Sequence, residues 1–546
     1  MADENKDLLD LPPLIVPGWG RGIITSFPAT EIPDDAAQDI LNMEFDDSDN
    51  LSCRNGLTQL FSTTFANRFT SLYYFTSGAG EIGILYTTGA QLRIVETNGT
   101  GDTNLTGALT LPNNTFWQWI TYKDLAIGVN KAASGDNPVK VSTGSVAAAL
   151  GGSPPKGKYI ALWENRVWIV SATEPNQLWG SKLGDPENWT VGASAADAIT
   201  LDVELDDGDT ISGLFATRDS LYIKKTKRIY KIVRIDQNKS ITDQTNLKVA
   251  IHSQTIGCVS PYSIQPILDD VVYLSEQGLA SLKLSDVVED FRTATYSRNV
   301  AEIAKINKTT EEIPSLLLPN VNQYWLSIPA AISTRQIDEV YVLDYLNIQR
   351  GIDAARWTRF SGLAAFTAAT SFIGGTGRIY VIGAKNAGGT YQIYTYKPKT
   401  SGGTFTDNGT AYSKLLRTKA YVANLPLIRK HWRKWGFAFD LETNSAQVSI
   451  KYFLDGNITK GGNYSFTLNA STLGALWDQA IWDVDSWDTA VEGPVDIVRK
   501  LLTNSSGQRS QSITFEVSNS QNGEAYTIKD FLLIYSMLSE LKVTEI

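Results

Sequence analysis

Short apolar segments centred on one aromatic residue, or once on an alanine, recur along the chain between polar and glycine-containing turns. Their centres are Tyr73, Ala126, Trp168, Tyr222, Tyr273, Trp325 and Tyr380. Successive centres are 42 to 55 residues apart, close to the length of a propeller blade, in which four strands form a sheet that cannot bury its face alone. The pattern predicts an all-β chain with a β-propeller of six or seven blades, and the seven segments favour seven.

The N-terminal region, residues 1–60, has a different pattern, because closely spaced prolines at positions such as Pro12, Pro13 and Pro17 exclude a continuous helix or central strand. We predict an extended arm, with one capped helical turn beginning at Asp34. Its Trp19 is a large apolar side chain that needs a partner surface, so it is a candidate interface or glycan contact.

The remaining chain divides at a turn-rich stretch near residue 400. Residues 61–405 hold the repeats and are assigned to the propeller, with a short helix predicted within 287–308 from the apolar positions Val300, Ile303 and Ile306. Residues 406–546 alternate apolar and polar positions, as half-buried antiparallel strands do. They are predicted to form a C-terminal β-sandwich.

Composition excludes several classes of protein. The sequence has no apolar run of the roughly 20 residues that span a bilayer, and its acidic start lacks the basic residues of a secretion signal. We therefore expect a soluble product made in the cytoplasm. Cys53 and Cys258 are expected to be buried free thiols. A net charge of −10 disfavours tight binding of nucleic acid phosphates, although it would suit a channel through which DNA slides.

Candidate catalytic chemistry is scarce. The chain has two histidines, His252 and His431, and it lacks zinc-binding, phosphate-binding and nucleophile-elbow motifs. We predict no enzymatic activity, no cofactor and no metal. The acidic run from Asp202 to Asp209 resembles a calcium loop, but it lacks the distal glutamate of an EF-hand; a solvated blade edge is the alternative.

Two aromatic clusters are further candidates for binding. Trp477, Trp482 and Trp487 are each followed by an aspartate, and they are candidates for stacking on sugar rings or for packing between subunits. Basic residues alternate with Trp432 and Trp435 between positions 429 and 435, which suggests either contact with nucleic acid or a strand with a solvated basic edge.

Several short motifs resemble those of the tail nozzle, tubular tail or tail stabilisation proteins of short-tailed bacteriophages. The arm sequence 32–46 and the Arg-x-Gly turn of residues 51–56 resemble the opening of such proteins. The blade sequence 158–170, continued at 176–190, resembles their blade signature, and the segments 256–261 and 272–279 are similar to the same group. The spaced tryptophans of 477–487 resemble those of phage tail proteins.

This resemblance implies a virion structural protein that forms a ring or nozzle of the tail and extends the DNA-ejection channel below the portal and adaptor. The expected partners are further copies of the chain in a ring of six, the portal and adaptor, and other tail proteins, with tail fibres as a further candidate. Phage DNA is expected to pass through the ring without specific binding. The expected location is the virion tail, assembled in the host cytoplasm. The alternative is a propeller tail protein that binds or degrades host glycan, which the absence of sialidase-type turns disfavours.

Overall fold

In a computed structural model of the chain, the described residues are 8–10, 12–78, 80–131, 137–283, 295–306, 312–329, 337–346, 348, 354–375, 377–399, 404–469, 495–501 and 509–538. Strands dominate, and the short helical segments are α1 (Ala301–Ala304) and the 3-10 turns Gln244–Asn246, Pro261–Ser263 and Gly362–Ala364. Among the described residues, no helix is long and apolar enough to cross a membrane.

The N-terminal arm forms short strands. They are β1 (Leu8–Asp10), β2 (Leu14–Val16), β3 (Gly22–Ile23), β4 (Ala36–Leu41), β5 (Met43–Phe45), β6 (Leu51–Cys53) and β7 (Leu57–Gln59). The helical turn predicted from Asp34 is wrong, because residues 36–41 pair instead with a strand at 414–418 and bury Ala36, Ala37 and Ile40. That pairing partner lies more than 370 residues away, beyond the reach of a local capping signal.

Seven antiparallel blades follow; six of them are separate small sheets, and blade 6 is part of a larger sheet. Blade 1 contains β8 (Phe69–Ser77), β9 (Gly80–Thr88), β10 (Gln91–Val95) and β11 (Thr103–Asn104); blade 2 contains β12 (Trp117–Tyr122), β13 (Leu125–Asn130), β14 (Val139–Ser142) and β15 (Ala148–Ala149). Blade 3 contains β16 (Gly157–Trp163), β17 (Arg166–Ser171), β18 (Gln177–Gly180) and β19 (Ile199–Asp202); blade 4 contains β20 (Ile211–Ala216), β21 (Leu221–Lys225), β22 (Ile229–Arg234) and β23 (Leu247–Ser253). Blade 5 contains β24 (Gln265–Ile267), β25 (Asp270–Ser275) and β26 (Gly278–Ser281); blade 6 contains β27 (Ser315–Leu318), β28 (Gln323–Pro329), β29 (Ile337–Asp344) and β30 (Arg356–Ser361); blade 7 contains β31 (Phe366–Gly374), β32 (Gly377–Lys385), β33 (Tyr391–Tyr396) and the arm strand β7. The predicted propeller is confirmed, and its blades number seven.

The repeat has one register shift relative to the sequence pattern. Six of the seven aromatic or alanine centres lie on the second strand of a blade, but Tyr73 lies on β8, the first strand of blade 1. The residue opposite Tyr73 on the second strand of that blade, β9, is Leu85, and we take it as the centre there. Leu85 and Ala126 are 41 residues apart, so the first two intervals of the corrected repeat are both short.

The propeller ring is closed by residues from both ends of the repeat region. Strand β7 pairs with β33, with Leu57 opposite Tyr396, and thereby completes blade 7 with residues of the arm. Phe69 of blade 1 packs with Phe372 and Val381 of blade 7 in one buried apolar cluster. Because the arm supplies the last strand, the chain cannot open the ring without breaking a sheet.

A glycine at this closure gives a direct test of the packing. A Cβ placed on Gly383 of blade 7 would lie 2.5 Å from the Phe69 ring of blade 1, and Phe69 is fully buried. We expect Gly383→Ala to lower the free energy of unfolding by about 1–3 kcal/mol, as overpacking in a core does. Urea denaturation measures the change, and Gly375→Ala, where a Cβ has open space, is the matched control. Equal stability of the two variants would contradict the closure.

Blade 5 has no fourth strand among the described residues, and residues 295–306 cover its outer edge. The amide of Tyr296 donates to the carbonyl of Leu279 at 2.8 Å, and Val300 and Ile303 are buried. Helix α1 lies within the segment 287–308 that was predicted to be helical; residues 287–294 and 307–308 lie outside the described part.

The C-terminal strands form a β-sandwich together with the arm, which confirms the predicted sandwich. Its C-terminal strands are β34 (Lys414–Thr418), β35 (Lys430–Leu441), β36 (Ser445–Leu454), β37 (Asn457–Asn469), β38 (Val495–Leu501), β39 (Arg509–Ser510), β40 (Ile513–Asn519) and β41 (Tyr526–Leu538). One sheet has the order β38-β35-β41-β6-β5, and the other has the order β4-β34-β40-β36-β37. Aromatic side chains such as Phe437, Phe515 and Phe531 fill the space between them, with centroids 4.7 to 5.9 Å apart.

Propeller and sandwich share one continuous sheet. Strand β30 of blade 6 lies beside β4 and pairs with it through a parallel bridge between Arg359 and Leu41. The sheet that contains β4 therefore has ten strands in all. The Arg359 guanidinium also binds the Asp39 carboxylate at 2.6 and 2.7 Å and Glu339 at 2.6 Å. The two modules are therefore joined by a backbone bridge and by ion pairs.

Candidate functional site

Of the four tryptophans predicted to be contact residues, the structure describes one, Trp19. Trp19 is fully buried and stacks on Phe437 with ring centroids 6.3 Å apart. The prediction that it contacts a glycan or another subunit is wrong, because the partner surface that it needs is the core of its own sandwich. Trp477, Trp482 and Trp487 lie outside the described residues, so their role stays a prediction.

The basic cluster at 429–435 combines exposed cations, Arg429 and Lys434, with tryptophans that face the sandwich core. Trp432 and Trp435 are buried on β35, so their rings are not available for stacking on bases. The ammonium of Lys430 donates to three backbone carbonyls, at 2.5 to 2.9 Å, and burial lowers its pKa to about 8. This segment is a structural strand.

A lysine side chain, Lys225, pairs with a carboxylate of the acidic run at 202–209. The side chain of Asp207 is 4% exposed, and it accepts hydrogen bonds from the ammonium of Lys225 at 2.8 Å and the hydroxyl of Tyr230 at 3.0 Å. Burial would raise the pKa of Asp207, but the hydrogen bond from Lys225 and its other donors lower it. Within the described residues, no group of three His, Cys, Asp or Glu side chains has the geometry of a metal site.

The two cysteines and two histidines occupy structural positions. Cys53 and Cys258 are buried free thiols, as predicted, and burial raises their pKa values to about 12 and about 11. Such thiols are protonated at neutral pH and are poor nucleophiles. His252 packs edge-on against Tyr222, with centroids 5.1 Å apart, and burial together with nearby arginines lowers the pKa of His431.

The Arg-x-Gly turn places Arg54 at the centre of the junction between propeller and sandwich. Its guanidinium makes a two-point ion pair with the Asp407 carboxylate, with N to O distances of 2.9 and 2.6 Å, and the two side chains are 0% and 5% exposed. Nε donates to Asn42 at 3.0 Å, and the guanidinium lies 4.0 Å from the Tyr412 ring centroid. Burial would lower the pKa of Arg54, but Asp407 raises it above its usual value, so this arginine stays charged.

Asn42 connects the same junction to blade 6. Its Nδ2 donates to the carbonyl of Ser413 at 2.6 Å and to the hydroxyl of Ser361 at 3.2 Å, while Oδ1 accepts from Arg54 and from the amide of Ser361. This one amide side chain thus connects the three segments that contain Arg54, Ser361 and Ser413.

Gly56 completes the turn because no larger residue fits. A Cβ at this position would lie 1.9 Å from the carbonyl oxygen of Thr406, which is far inside van der Waals contact. The amide of Gly56 donates to the carbonyl of Thr404 at 2.6 Å. The Arg-x-Gly motif therefore locks the arm against residues 404–407 and directs the chain into β7.

A pocket of about 720 Å³ opens beside this junction. Its walls are the end of β30 with the following 3-10 turn, the hairpin between β32 and β33, and the turn at 407–413. The volume lies within the range of small-molecule sites. Because the walls come from blade 6, blade 7 and the link to the sandwich, the pocket exists only when all three are assembled.

The floor of the pocket is a fixed hydrogen-bonded group. Gln392 is 7% exposed, and its Oε1 accepts from the hydroxyl of Tyr394 at 2.9 Å and from Nδ2 of Asn386 at 3.1 Å. The two bonds assign the orientation of the amide, so its Nε2 group supplies two donors. Among the described residues, Nε2 has no acceptor.

The pocket carries little net charge. Its acidic lining residue, Asp407, is paired with Arg54, and Lys385 is an exposed cation at its rim. The remaining lining residues are neutral, and they include the aromatic side chains of Tyr391, Tyr394 and Tyr412 together with several hydroxyl and amide groups.

Sequence reasoning singled out the Arg-x-Gly turn but missed its partners. Asp407, Tyr412 and Gln392 lie more than 330 residues from Arg54, and each is an ordinary residue in its own stretch of sequence. The one available signal was Arg54 itself, because a buried arginine needs a carboxylate.

The fold and site define an all-β protein with a seven-bladed propeller that shares a sheet with a sandwich. No protein-family model matches the sequence, and no curated protein is significantly similar to it. Solved structures with similar folds include the Neurospora crassa Pan2 WD40 domain, with 9% identity, a TM-score of 0.35, and coverage of 63% of this chain and 97% of that one. A chain of the Mitotic Checkpoint Complex has 9% identity and a TM-score of 0.32, with coverage of 73% and 98%. Kluyveromyces lactis Hsv2 has 8% identity and a TM-score of 0.31, with coverage of 61% and 99%. At these scores, the assignment of seven blades rests on the sheet order of this chain.

Proposed function

We propose that this protein is a virion structural component that forms a ring or nozzle of a phage tail and extends the DNA-ejection channel below the portal and adaptor. The proposal starts from the motifs that resemble tail nozzle proteins. It assigns no catalytic residue and no cofactor to the chain. Its location is the virion tail, after assembly in the host cytoplasm.

The observation that carries the proposal is the ten-stranded sheet shared by propeller and sandwich. A subunit in the wall of a conduit has to keep its shape under load, and two modules joined by a continuous sheet move as one body. The arm reinforces the connection, because its strands complete blade 7 and both sandwich sheets.

The residues in the nozzle-like motifs serve the fold. Arg54 and Gly56 lock the arm, as described above. Arg166, in the blade motif, is 1% exposed, and its guanidinium donates to the carbonyls of Ser181, Ala195, Asp197 and Thr242, among others. Motif residues that hold backbone segments together are those expected of a structural protein.

A ring arises when one surface of a subunit binds a different surface of the next and the rotation closes. Six copies are the proposed stoichiometry, with the portal, adaptor, other tail proteins and tail fibres as further partners. The net charge of −10 disfavours tight phosphate contacts, which suits DNA that passes through without specific binding.

Electron microscopy of the purified protein, alone and mixed with a portal and adaptor complex, tests the proposal. We expect six-fold rings in at least one of the two samples, and light scattering should give a mass near six times 59.9 kDa for the ring. The Gly375→Ala variant, in which the added Cβ has open space, is the control and should form the same rings as the parent. A folded monomer that never joins the tail complex would overturn the proposal.

The alternative of glycan degradation loses support at the junction pocket. Hydrolysis of a glycosidic bond ordinarily uses two carboxylates on either side of the bond. The lining of this pocket contains one, Asp407, and Arg54 already occupies both of its oxygens.

A further inference from the structure

We propose that Lys414 and Asn519 condense to form an isopeptide bond inside the sandwich, with the Glu524 carboxylate carrying the proton between the two nitrogens. The structure holds the three side chains side by side, as separate groups. The bond goes beyond the nozzle role, because it forms within one chain whether or not a ring assembles.

The first observation is the position of the two reacting residues in the sheet. Lys414 on β34 and Asn519 on β40 are directly opposite each other in the antiparallel register, so their side chains lie on the same face. That face is the buried one, since the next opposite pair on it, Leu416 and Val517, is fully buried. Lys414 is 0% exposed and Asn519 is 5% exposed. A lysine and an amide therefore occupy positions where the alternation of the strands predicts apolar side chains.

Lys414 is placed as a nucleophile. Its Nζ donates to Oδ1 of Asn519 at 3.2 Å and to the backbone carbonyls of Glu524 at 2.7 Å and Gln521 at 3.4 Å. A neutral amine has two N–H groups, enough for the two backbone carbonyls, and its lone pair is then free for the amide carbon of Asn519. Burial lowers the pKa of Lys414, which enlarges the neutral, nucleophilic fraction of this amine.

The Asn519 side chain is held in one orientation by its hydrogen bonds. Oδ1 accepts from the backbone amide of Gln521 at 3.1 Å, a donor that stabilises the negative charge developing on this oxygen when the carbon is attacked. Nδ2 donates to the carbonyl of Gln447 at 2.5 Å and to Oε2 of Glu524 at 2.8 Å. The same Oε2 accepts from the backbone amide of Gln447 at 2.7 Å. The carboxylate is thus fixed beside the nitrogen that has to leave.

The reaction balances without a co-reactant. Nζ of neutral Lys414 attacks Cγ of Asn519, and the electron pair of the C=O double bond moves onto Oδ1 in a tetrahedral intermediate. Nζ then loses one proton and Nδ2 gains one; both nitrogens are bonded to the same carbon, so the Glu524 carboxylate beside it can take up the first proton and deliver the second. The Cγ–Nδ2 bond breaks, ammonia leaves, and the new Nζ–Cγ amide remains. Nothing is oxidised or reduced.

The other fully buried lysines have different surroundings. Lys224 faces an aromatic ring, Lys225 is paired with a carboxylate, and Lys430 donates to backbone carbonyls. Among the fully buried lysines of the described chain, Lys414 is the one that contacts a side-chain amide. The combination of amine, amide and carboxylate, and not burial alone, is what points to bond formation.

Mass spectrometry of the full-length protein tests the bond, with samples taken at purification and after prolonged incubation. We expect the intact mass to fall below the sequence mass by one ammonia. Trypsin should release residues 400–417 joined to residues 510–529 as one branched peptide, and its fragmentation should place the link at Lys414 and Asn519. A succinimide at an asparagine also loses ammonia, but it leaves the two peptides separate.

Four variants assign the roles of the side chains. Lys414→Met and Asn519→Ala each remove one reacting group and should abolish the branched peptide. Glu524→Gln keeps both reacting groups and should slow the formation of the link at least about tenfold, as loss of a proton carrier does. Lys451→Met, the same change at a partly exposed lysine on β36, is the matched control and should leave the link unchanged.

Thermal melting shows whether each variant is folded. Folded parent protein that still yields the two peptides separately after incubation would overturn the proposal, as would a link that persists in Lys414→Met. A link that forms equally fast in Glu524→Gln would overturn the role of the carboxylate. Ring formation is scored separately by microscopy, so failure here and failure of the nozzle proposal are distinguishable.

Discussion

Asp407→Asn is expected to lower the free energy of unfolding by about 3–5 kcal/mol, the range found when one partner of a buried ion pair is removed. The substitution keeps the size of the side chain but removes its charge. Arg54 then remains as a buried cation facing a neutral amide, with both of its carboxylate contacts, 2.9 and 2.6 Å long, lost or weakened. Urea denaturation followed by tryptophan fluorescence measures the change.

An exposed ion pair provides the matched control for this variant. Lys283 and Asp269 also form a contact of 2.7 Å, but their side chains are 63% and 80% exposed. Solvent screens such a pair, so Asp269→Asn should cost at most about 1 kcal/mol. Similar losses in the two variants would show that burial of Arg54 does not govern the stability of the junction.

The double variant Arg54→Met, Asp407→Leu separates the charge from the packing. Removing both charges together leaves no uncompensated ion, so it should be less destabilising than Asp407→Asn alone. The single variants Arg54→Met and Asp407→Leu complete the cycle, and the difference between the double variant and the sum of these two gives the coupling energy of the pair. An additive result would contradict a direct interaction.

The blades could be predicted from the sequence because their determinants are local. Each segment around a centre such as Trp168 or Tyr273 pairs with neighbours a few residues away, so apolar alternation and turn residues are enough to indicate a hairpin. The same property explains the register error at Tyr73, since the first strand of blade 1 has four aromatic residues and its second strand has one, Tyr86.

The arm and the pocket could not be predicted, because their determinants are remote. Residues 36–41 carry alanines and an aspartate that suggest a helical start, yet β34 and β30 hold them in a sheet. Likewise, Gln392 becomes a pocket floor only when blades 6 and 7 meet the turn at 407–413. The sandwich strands could be predicted from the alternation of apolar and polar residues. That they share a sheet with blade 6 could not be predicted.

The last prediction concerns Lys224, which is fully buried on β21 in the propeller. Its ammonium lies 3.4 Å from the ring centroid of Tyr273, and Nζ has no hydrogen-bond partner within the described residues. Burial lowers its pKa from 10.5 to about 7, while Cys258 and Asp270 act in the opposite direction. In the unfolded chain this lysine keeps its ordinary pKa, so between pH 7 and 10.5 unfolding takes up a proton.

Stability therefore rises with pH in that window. From pH 6 to pH 9, the contribution of Lys224 to the free energy of unfolding should become more favourable by about 2–3 kcal/mol, since one unit of pKa difference corresponds to about 1.4 kcal/mol. Lys224→Met keeps the length of the side chain without the charge. The variant should be more stable than the parent at pH 6, and its advantage should shrink by that amount at pH 9.

Lys225→Met is the matched control, because this neighbouring lysine is equally buried but is paired with Asp207 at 2.8 Å. Removing it strands a buried carboxylate, so the variant should lose stability at pH 6, where Lys224→Met gains it. Urea denaturation at pH 6, 7, 8 and 9 measures both differences from the parent. A Lys224→Met advantage that does not change with pH would show that burial of this ammonium is not what opposes folding, because only a group that titrates between the two states can produce the slope.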